Sequence, residues 1–213
     1  TIVVNKRASE IVQGDKTGDE PLLEKVKSYL KQKYCKPGNV FCGLVHRLDR
    51  PTSGALVFAK TSKGLSRLNE QFRDKSTRKI YWAIVETKPV EKEGKLIDYL
   101  RKNEKQNKSY VCDELDKGAK QAVLSYKWLR SSQHYHLLEI EIETGRQHQI
   151  RCQLANIGCV IKGDLKYGAK RSNKDASISL HARVLIYKHP TTQEEININA
   201  PLPNDPLWQF FKN

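Results

Sequence analysis

Apolar residues recur along this chain with two different periods, and each change of period marks an expected element. Ile2 to Val4 is a short β-branched run that reads as a strand, broken by the polar stretch Asn5 to Ser9. Gly14 to Gly18 is a polar turn. Beyond it Leu22, Leu23, Val26, Tyr29, Leu30 and Tyr34 fall at helical spacing with Pro21 suited to a first turn, so a helix is expected over about residues 20–34. Its Lys25, Lys27, Lys31 and Lys33 lie off the apolar stripe, where a solvated face is the plain reading and a phosphate-facing one the sharper. Ala55 to Ala59 is a short apolar strand, and Thr61 can cap a helix carrying Leu65, Leu68 and Phe72. Arg78 to Glu86 has strand composition.

Periodicity is weakest from Glu86 to Gly118, with short strands expected at Lys95–Leu100 and Ser109–Cys112. Lys102, Lys105 and Lys108 make this stretch either a substrate-facing insertion or an ordinary mobile loop. Two strands should follow, Gln121–Arg130 and Tyr135–Glu143. The second alternates Leu138, Ile140 and Ile142 with Glu139, Glu141 and Glu143, the mark of a half-buried antiparallel pair. Thr144 to Arg151 opens a helix that runs through Cys152, Leu154 and Ile157 to Gly158, a natural C-cap. Pro201 to Pro206 is a turn, and Leu207 to Phe211 is an apolar tail that should dock.

The 213 residues, 38% hydrophobic, suffice for one substantial core, and a single domain over 1–213 is the simplest organisation. Charge narrows the partners: 38 Lys+Arg against 24 Asp+Glu give a net charge of +14 spread over several segments, which suits RNA, DNA or an acidic membrane. No apolar run approaches a membrane span and the N-terminus lacks a signal-peptide layout, so the cytoplasm is the default location. Cys35, Cys42, Cys112, Cys152 and Cys159 are odd in number and form no Cys-x-x-Cys pair, which argues against a disulfide framework or zinc ribbon. His46, His148 and His181 fall in separate stretches without ligand spacing, so no metal site is expected. There is no methionine, initiator included, and the chain need not be a complete translated product.

One stretch concentrates the chemistry. Gly43 to Gly54 holds a single carboxylate, Asp49, between Arg47 and Arg50, ahead of the turn-forming Pro51. The flanking guanidinium groups favour an anionic Asp49, and an anion in a shaped loop can act as nucleophile or base. An Asp that merely pairs with its arginines and closes a turn is the commoner outcome, and on these residues alone both readings stand.

His46-Arg47-Leu48-Asp49 followed by Thr52-Ser53-Gly54 resembles the catalytic motif of the RluA-type RNA pseudouridine synthases, in which this Asp is the catalytic residue. Further blocks are similar to that family in the family's order. Lys79 to Tyr81 resembles its Lys-x-Tyr motif, whose Tyr stacks on the target uracil and is implicated in proton transfer. Thr144 to Arg151 resembles its Thr-Gly-Arg-x-His-Gln-Ile-Arg motif, where a basic residue pairs with the catalytic Asp. Lys162-Gly163-Asp164 with Tyr167-Gly168, and Leu180-His181-Ala182 with His189-Pro190, resemble two later segments. Asn5-Lys6-Arg7-Ala8-Ser9 departs from the Asn-Lys-Pro often found near the family's first strand.

The resemblance implies an α+β fold with a mixed, mostly antiparallel central sheet flanked by helices and a cleft across its middle. It implies isomerisation of uridine to pseudouridine in structured RNA, ribosomal or transfer, without a cofactor. The site residues it implies are Asp49, Tyr81 and Arg146, the last paired with Asp49 by its place in the motif. Arg47 would fill the space left by a flipped base, Arg50, Arg151 and Lys162 would contact RNA, and Leu180 would form an apolar platform. A monomer is expected, with no membrane partner and no separate N-terminal RNA-binding domain. Two rivals remain: a non-catalytic RNA-binding or ribosome-assembly factor, and an N-glycosidase that would release free uracil.

Overall fold

Most changes of apolar period become element boundaries in the computed structural model, which describes residues 1–15 and 18–212. In order these are β1 (Ile2–Lys6), α1 (Leu22–Lys33), β2 (Gly43–Leu44), β3 (Ser53–Ala59), α2 (Ser62–Arg73), β4 (Arg78–Val85), β5 (Glu93–Asn103), β6 (Lys108–Cys112), β7 (Lys120–Ser131), β8 (His136–Ile142), α3 (Gln149–Asn156), β9 (Leu180–Lys188), β10 (Glu195–Asn199) and α4 (Pro206–Lys212). Two positions of the expected turn from Gly14 to Gly18 lie outside the described residues. Thr61 caps α2 as its chemistry suggests, its Oγ1 accepting the Gly64 N–H at 3.0 Å.

The sheet order is β1-β3-β9-β4-β8-β7-β5-β6, with β10 on β9 and β2 on β3. Every pairing is antiparallel except β3 with β9, which meet in parallel at Ser53–His181 and Gly54–Ala182. That close approach needs a glycine. Gly54 has φ +119°, and a Cβ there would lie 2.3 Å from the Ala182 carbonyl oxygen.

β3 is buried on both faces, which explains its continuous apolar run. Leu56 and Phe58 pack with Val26 and Leu30 of α1, while Ala55, Val57 and Ala59 pack with Leu68 of α2. Burying the Val, Leu and Phe side chains among these stabilises by about 1.5–3 kcal/mol each. The apolar tail docks as expected: Trp208 and Phe211 of α4 lie on Ile84 and Leu137.

The stretch that lacked periodicity is more regular than its sequence suggests. β5 runs from Glu93 to Asn103, its residues Glu93–Leu100 pairing with β7 and Tyr99–Asn103 with β6, making an edge hairpin rather than a loop. Its residues are mostly half-exposed or exposed, so main-chain bonding specifies it with little help from burial.

Candidate active site

The loop before β3 is fixed by a lysine that carries no signal of this role in the sequence. Lys6 is fully buried at the end of β1. Its Nζ donates to the carbonyls of Arg7, Arg50 and Thr52 at 2.9, 3.1 and 2.7 Å, so all three of its protons meet backbone oxygens, two of them in the Asp49 loop. Burial pushes its pKa down to about 8. The Thr52 N–H donates to the Asp49 carbonyl at 3.0 Å and closes the turn. On the other side His46 stacks on Phe72, centroids 4.8 Å apart, and its Nε2 accepts the Val57 N–H at 3.3 Å. Desolvation lowers the His46 pKa to about 3, which leaves that nitrogen free to accept.

The cation on Asp49 is Arg151, and the expectation for Arg146 is corrected. Arg151 Nη1 donates to Asp49 Oδ2 at 3.0 Å, while its Nε and Nη2 clasp both oxygens of the buried Asp164 at 2.7 and 2.8 Å. Burial by itself would lower the Arg151 pKa, but the two carboxylates outweigh it and the group is held more firmly cationic. Arg146 instead turns its exposed guanidinium to the Gln121 carbonyl, at 2.8 Å from Nε. The physical reason is where the helix starts. Residues 144–148 form a turn tied by Gln149, whose Oε1 accepts from Thr144 Oγ1 and Arg146 N at 2.7 and 3.0 Å, and His148 sits in a left-handed conformation with φ 52°. α3 therefore begins at Gln149, and Arg151 in its first turn is the arginine that faces Asp49.

His148 and Tyr167 complete the surroundings. His148 Nε2 lies 3.7 Å from Asp49 Oδ2, and its Nδ1 is 3.1 Å from the Tyr167 hydroxyl. Burial lowers the His148 pKa to about 4 against the raising effect of Asp49, so at neutral pH this is a neutral contact rather than an ion pair. The Tyr167 hydroxyl accepts the Ser109 N–H at 2.9 Å and donates to the Ser109 carbonyl at 3.1 Å, tying β6 of the edge hairpin to the site. Asp164, Tyr167 and His148 stood in recognisable motif blocks and Lys6 in a stretch that departs from the family's pattern, yet nothing in their spacing linked them to Asp49.

Arg47, Asp49, Thr52, Tyr81, Arg151 and Leu180 line one cleft, together with Arg146 at its rim. Its volume is about 110 Å³, on the scale of a single ring, since an apolar cavity of about 150 Å³ admits benzene. Tyr81 reaches it from β4, just past a bulge between Ile80 and Tyr81. Burial and then the charge of Asp49 raise the Tyr81 pKa, so its phenol keeps its proton. Arg50 and Lys162 stand outside the cleft lining: Arg50 pairs with Asp19 at 2.6 Å, and Lys162 donates to Asn173 Oδ1 at 2.5 Å. The third histidine, His181, bonds Ser53 Oγ at 2.8 Å where β3 and β9 meet in parallel. The three histidines thus occupy three separate environments, and no cluster of metal-ligating side chains occurs among the described residues.

Residues 1–156 match the model of a family described as RNA pseudouridylate synthase. The chain is 34% identical over 205 residues to a ribosomal large subunit pseudouridine synthase C of Rickettsia bellii, covering 95% of this chain and 66% of that protein. It is 37% identical over 183 residues to a tRNA pseudouridine synthase C of Vibrio vulnificus, covering 78% and 73%. In three dimensions it is similar to a solved structure of human RNA pseudouridylate synthase domain containing 4, with a TM-score of 0.79 and 26% identity over 95% of this chain and 85% of that one. The chain spans about half the length of the first curated relatives it matches, 53% and 50% of two bacterial proteins.

Proposed function

From the premise that the chain belongs to the RluA-type RNA pseudouridine synthase family, we propose that it isomerises specific uridines in structured RNA to pseudouridine, with Asp49 as the reacting carboxylate. The observation that carries the reading is Asp49 held by Arg151 in the lining of a ring-sized cleft shared with Tyr81 and Leu180.

The uracil N1–C1′ bond breaks, the base turns, and C5 rejoins C1′; C5 loses its proton and N1 gains one, so the product has the atoms and electrons of the substrate. No external reactant or cofactor is called for. Asp49 acts at the sugar, either on C1′ as nucleophile or as the base that begins glycal formation. Arg151 takes the role that motif position suggested for Arg146: its planar fork, already clamped on Asp164, holds Asp49 in one orientation. Tyr81 stacks on the base and Leu180 lies beneath it. The Thr52 hydroxyl is buried in the cleft lining without a hydrogen-bond partner among the described residues, so it has a bond to offer the nucleotide. A base within a helix must first leave its stack, at a cost of a few kcal/mol, and exposed Arg47 would occupy the space it vacates. The relatives' names supply ribosomal and transfer RNA as the substrate classes.

The test is product analysis on ribosomal and transfer RNA transcripts incubated with wild-type protein and with Asp49→Asn. Pseudouridine from the wild type, none from the variant, and RNA affinity changed by less than about tenfold support the proposal. Free uracil would make the protein an N-glycosidase, binding without turnover would make it an RNA-binding factor, and substantial turnover by Asp49→Asn would remove Asp49 from the chemistry.

A further inference from the structure

Among the described residues β1 pairs with β3 alone, and a groove runs between β1 and α1. At about 580 Å³ this groove is several times larger than the cleft. Two aromatic side chains stand in it half-exposed, Tyr29 at 48% and Tyr34 at 47%. Lysines reach these rings through their hydroxyls: Lys33 Nζ donates to the Tyr29 hydroxyl at 3.0 Å and lies 5.3 Å from its ring centroid and 5.9 Å from that of Tyr34, and Lys60 Nζ donates to the Tyr34 hydroxyl at 3.0 Å and lies 4.4 Å from its centroid. Among the described residues no carboxylate lines the groove. Lys25, which also lines the groove, and Lys27, both nearer the start of α1, are paired with Glu10 and Glu24, but the ion pairs of the described residues place no carboxylate on Lys33 or Lys60. The lysine row of α1 is therefore divided, and only its C-terminal part keeps its charge beside uncovered aromatic surface.

Aromatic faces alternating with unneutralised cations suit a single-stranded nucleic acid, whose bases stack while its phosphates take the lysines. An acidic peptide would use the charge and leave the rings uncovered. The location fits as well. α1 packs in the same core cluster as Tyr81 and Leu180, so groove and cleft share one face of the sheet. β1 extends about 13 Å from Ile2 to Lys6, the residue that holds the Asp49 loop. We propose that this groove is a second RNA-contacting surface that holds an unpaired stretch of the substrate by stacking on Tyr29 and Tyr34 and by phosphate contacts to Lys33 and Lys60. The inference rests on RNA being the substrate.

Fluorescence anisotropy with a labelled oligouridylate of about 12 nucleotides, within the range of known single-strand sites, tests it on the full chain across a salt series. The Tyr29→Ala/Tyr34→Ala protein should bind at least tenfold more weakly, and Tyr29→Phe/Tyr34→Phe, which keeps the ring faces, should bind within twofold of wild type. Lys33→Ala/Lys60→Ala should lower the log–log salt slope by about 1.4, at about 0.7 per phosphate neutralised on a single strand. Absence of wild-type binding, unchanged affinity of the alanine pair, or equal losses from the alanine and phenylalanine pairs would each overturn the proposal. So would displacement of the oligonucleotide by polyglutamate with an efficiency the tyrosines do not affect, which would mark a surface for acidic protein. Pseudouridine formation on RNA transcripts is scored separately: turnover with unchanged binding by the alanine pair rejects the groove alone, whereas tyrosine-dependent binding without turnover rejects the catalytic reading alone.

Discussion

Replacing Arg151 by Gln separates the two arginines that the motif offers. Asp164 is 1% exposed, and both its oxygens depend on Arg151, so the substitution strands a buried carboxylate. Breaking a buried pair from one side costs about 3–5 kcal/mol. For a chain of this length that lowers Tm by about 6–20 °C, at about 2–4 °C per kcal/mol. Arg146→Ala gives up one bond from an exposed side chain to the Gln121 carbonyl and should stay within about 0.5 kcal/mol. Adding Asp164→Asn to Arg151→Gln removes the stranded charge and should recover much of the stability. It cannot restore the cation on Asp49, so single-turnover pseudouridine formation should remain at least about tenfold down, equivalent to about 1.4 kcal/mol in the barrier. Differential scanning calorimetry paired with single-turnover kinetics on RNA reads both quantities. A stable double variant with wild-type turnover, or an Arg146→Ala protein slower than it, would refute the assignment of Arg151 to Asp49.

Three further outcomes follow from the geometry. Gly54→Ala forces a Cβ against the Ala182 carbonyl at a left-handed φ and should cost about 2–6 kcal/mol, read from urea midpoints; a loss under about 0.5 kcal/mol would show that β3 and β9 can separate freely. His148 and His181 are both depressed to about 4 by burial, against 6.5 for a free imidazole. Between pH 4 and 6.5 the unfolded chain therefore binds more protons, so stability is full above about 6.5 and falls on acidification, by about 2 kcal/mol per histidine at pH 5. Urea unfolding at pH 7 and pH 5 measures this, and an unchanged midpoint would contradict it. Changing Lys102, Lys105 and Lys108 of the edge hairpin to Ala should weaken RNA binding and flatten its salt dependence by up to about 0.7–0.9 for each phosphate no longer neutralised, with the rate at saturating RNA nearly unchanged. Unaltered affinity and slope would show that the hairpin does not touch RNA.

What the sequence determined by itself was local. Period-two alternation in Leu138, Ile140 and Ile142 marked β8, helical spacing marked α1, and Thr61 marked the start of α2, because each signal lies within a few residues of what it specifies. The block from His46 to Gly54 singled out Asp49, and Lys79 to Tyr81 singled out the tyrosine that shares its cleft, as side chains of one resemblance rather than through any measurable proximity.

Tertiary structure decided everything that depended on partners far apart in the chain. Arg146 and Arg151 are equivalent as letters five positions apart; the start of α3 at Gln149, set by hydrogen bonds to Thr144, Arg146 and Val123, determines which one turns toward Asp49. Lys6 read as part of a polar break and proved to be the buried post of the Asp49 loop, because two of its three acceptors lie 44 and 46 residues away and only the third is its own neighbour. The edge hairpin gave no periodic signal since main-chain pairing, which has no side-chain code, holds it in place. The glycine of Thr-Ser-Gly was legible as a motif letter, while the reason for it, a carbonyl of β9 where a Cβ would stand, exists only once strands 128 residues apart have met.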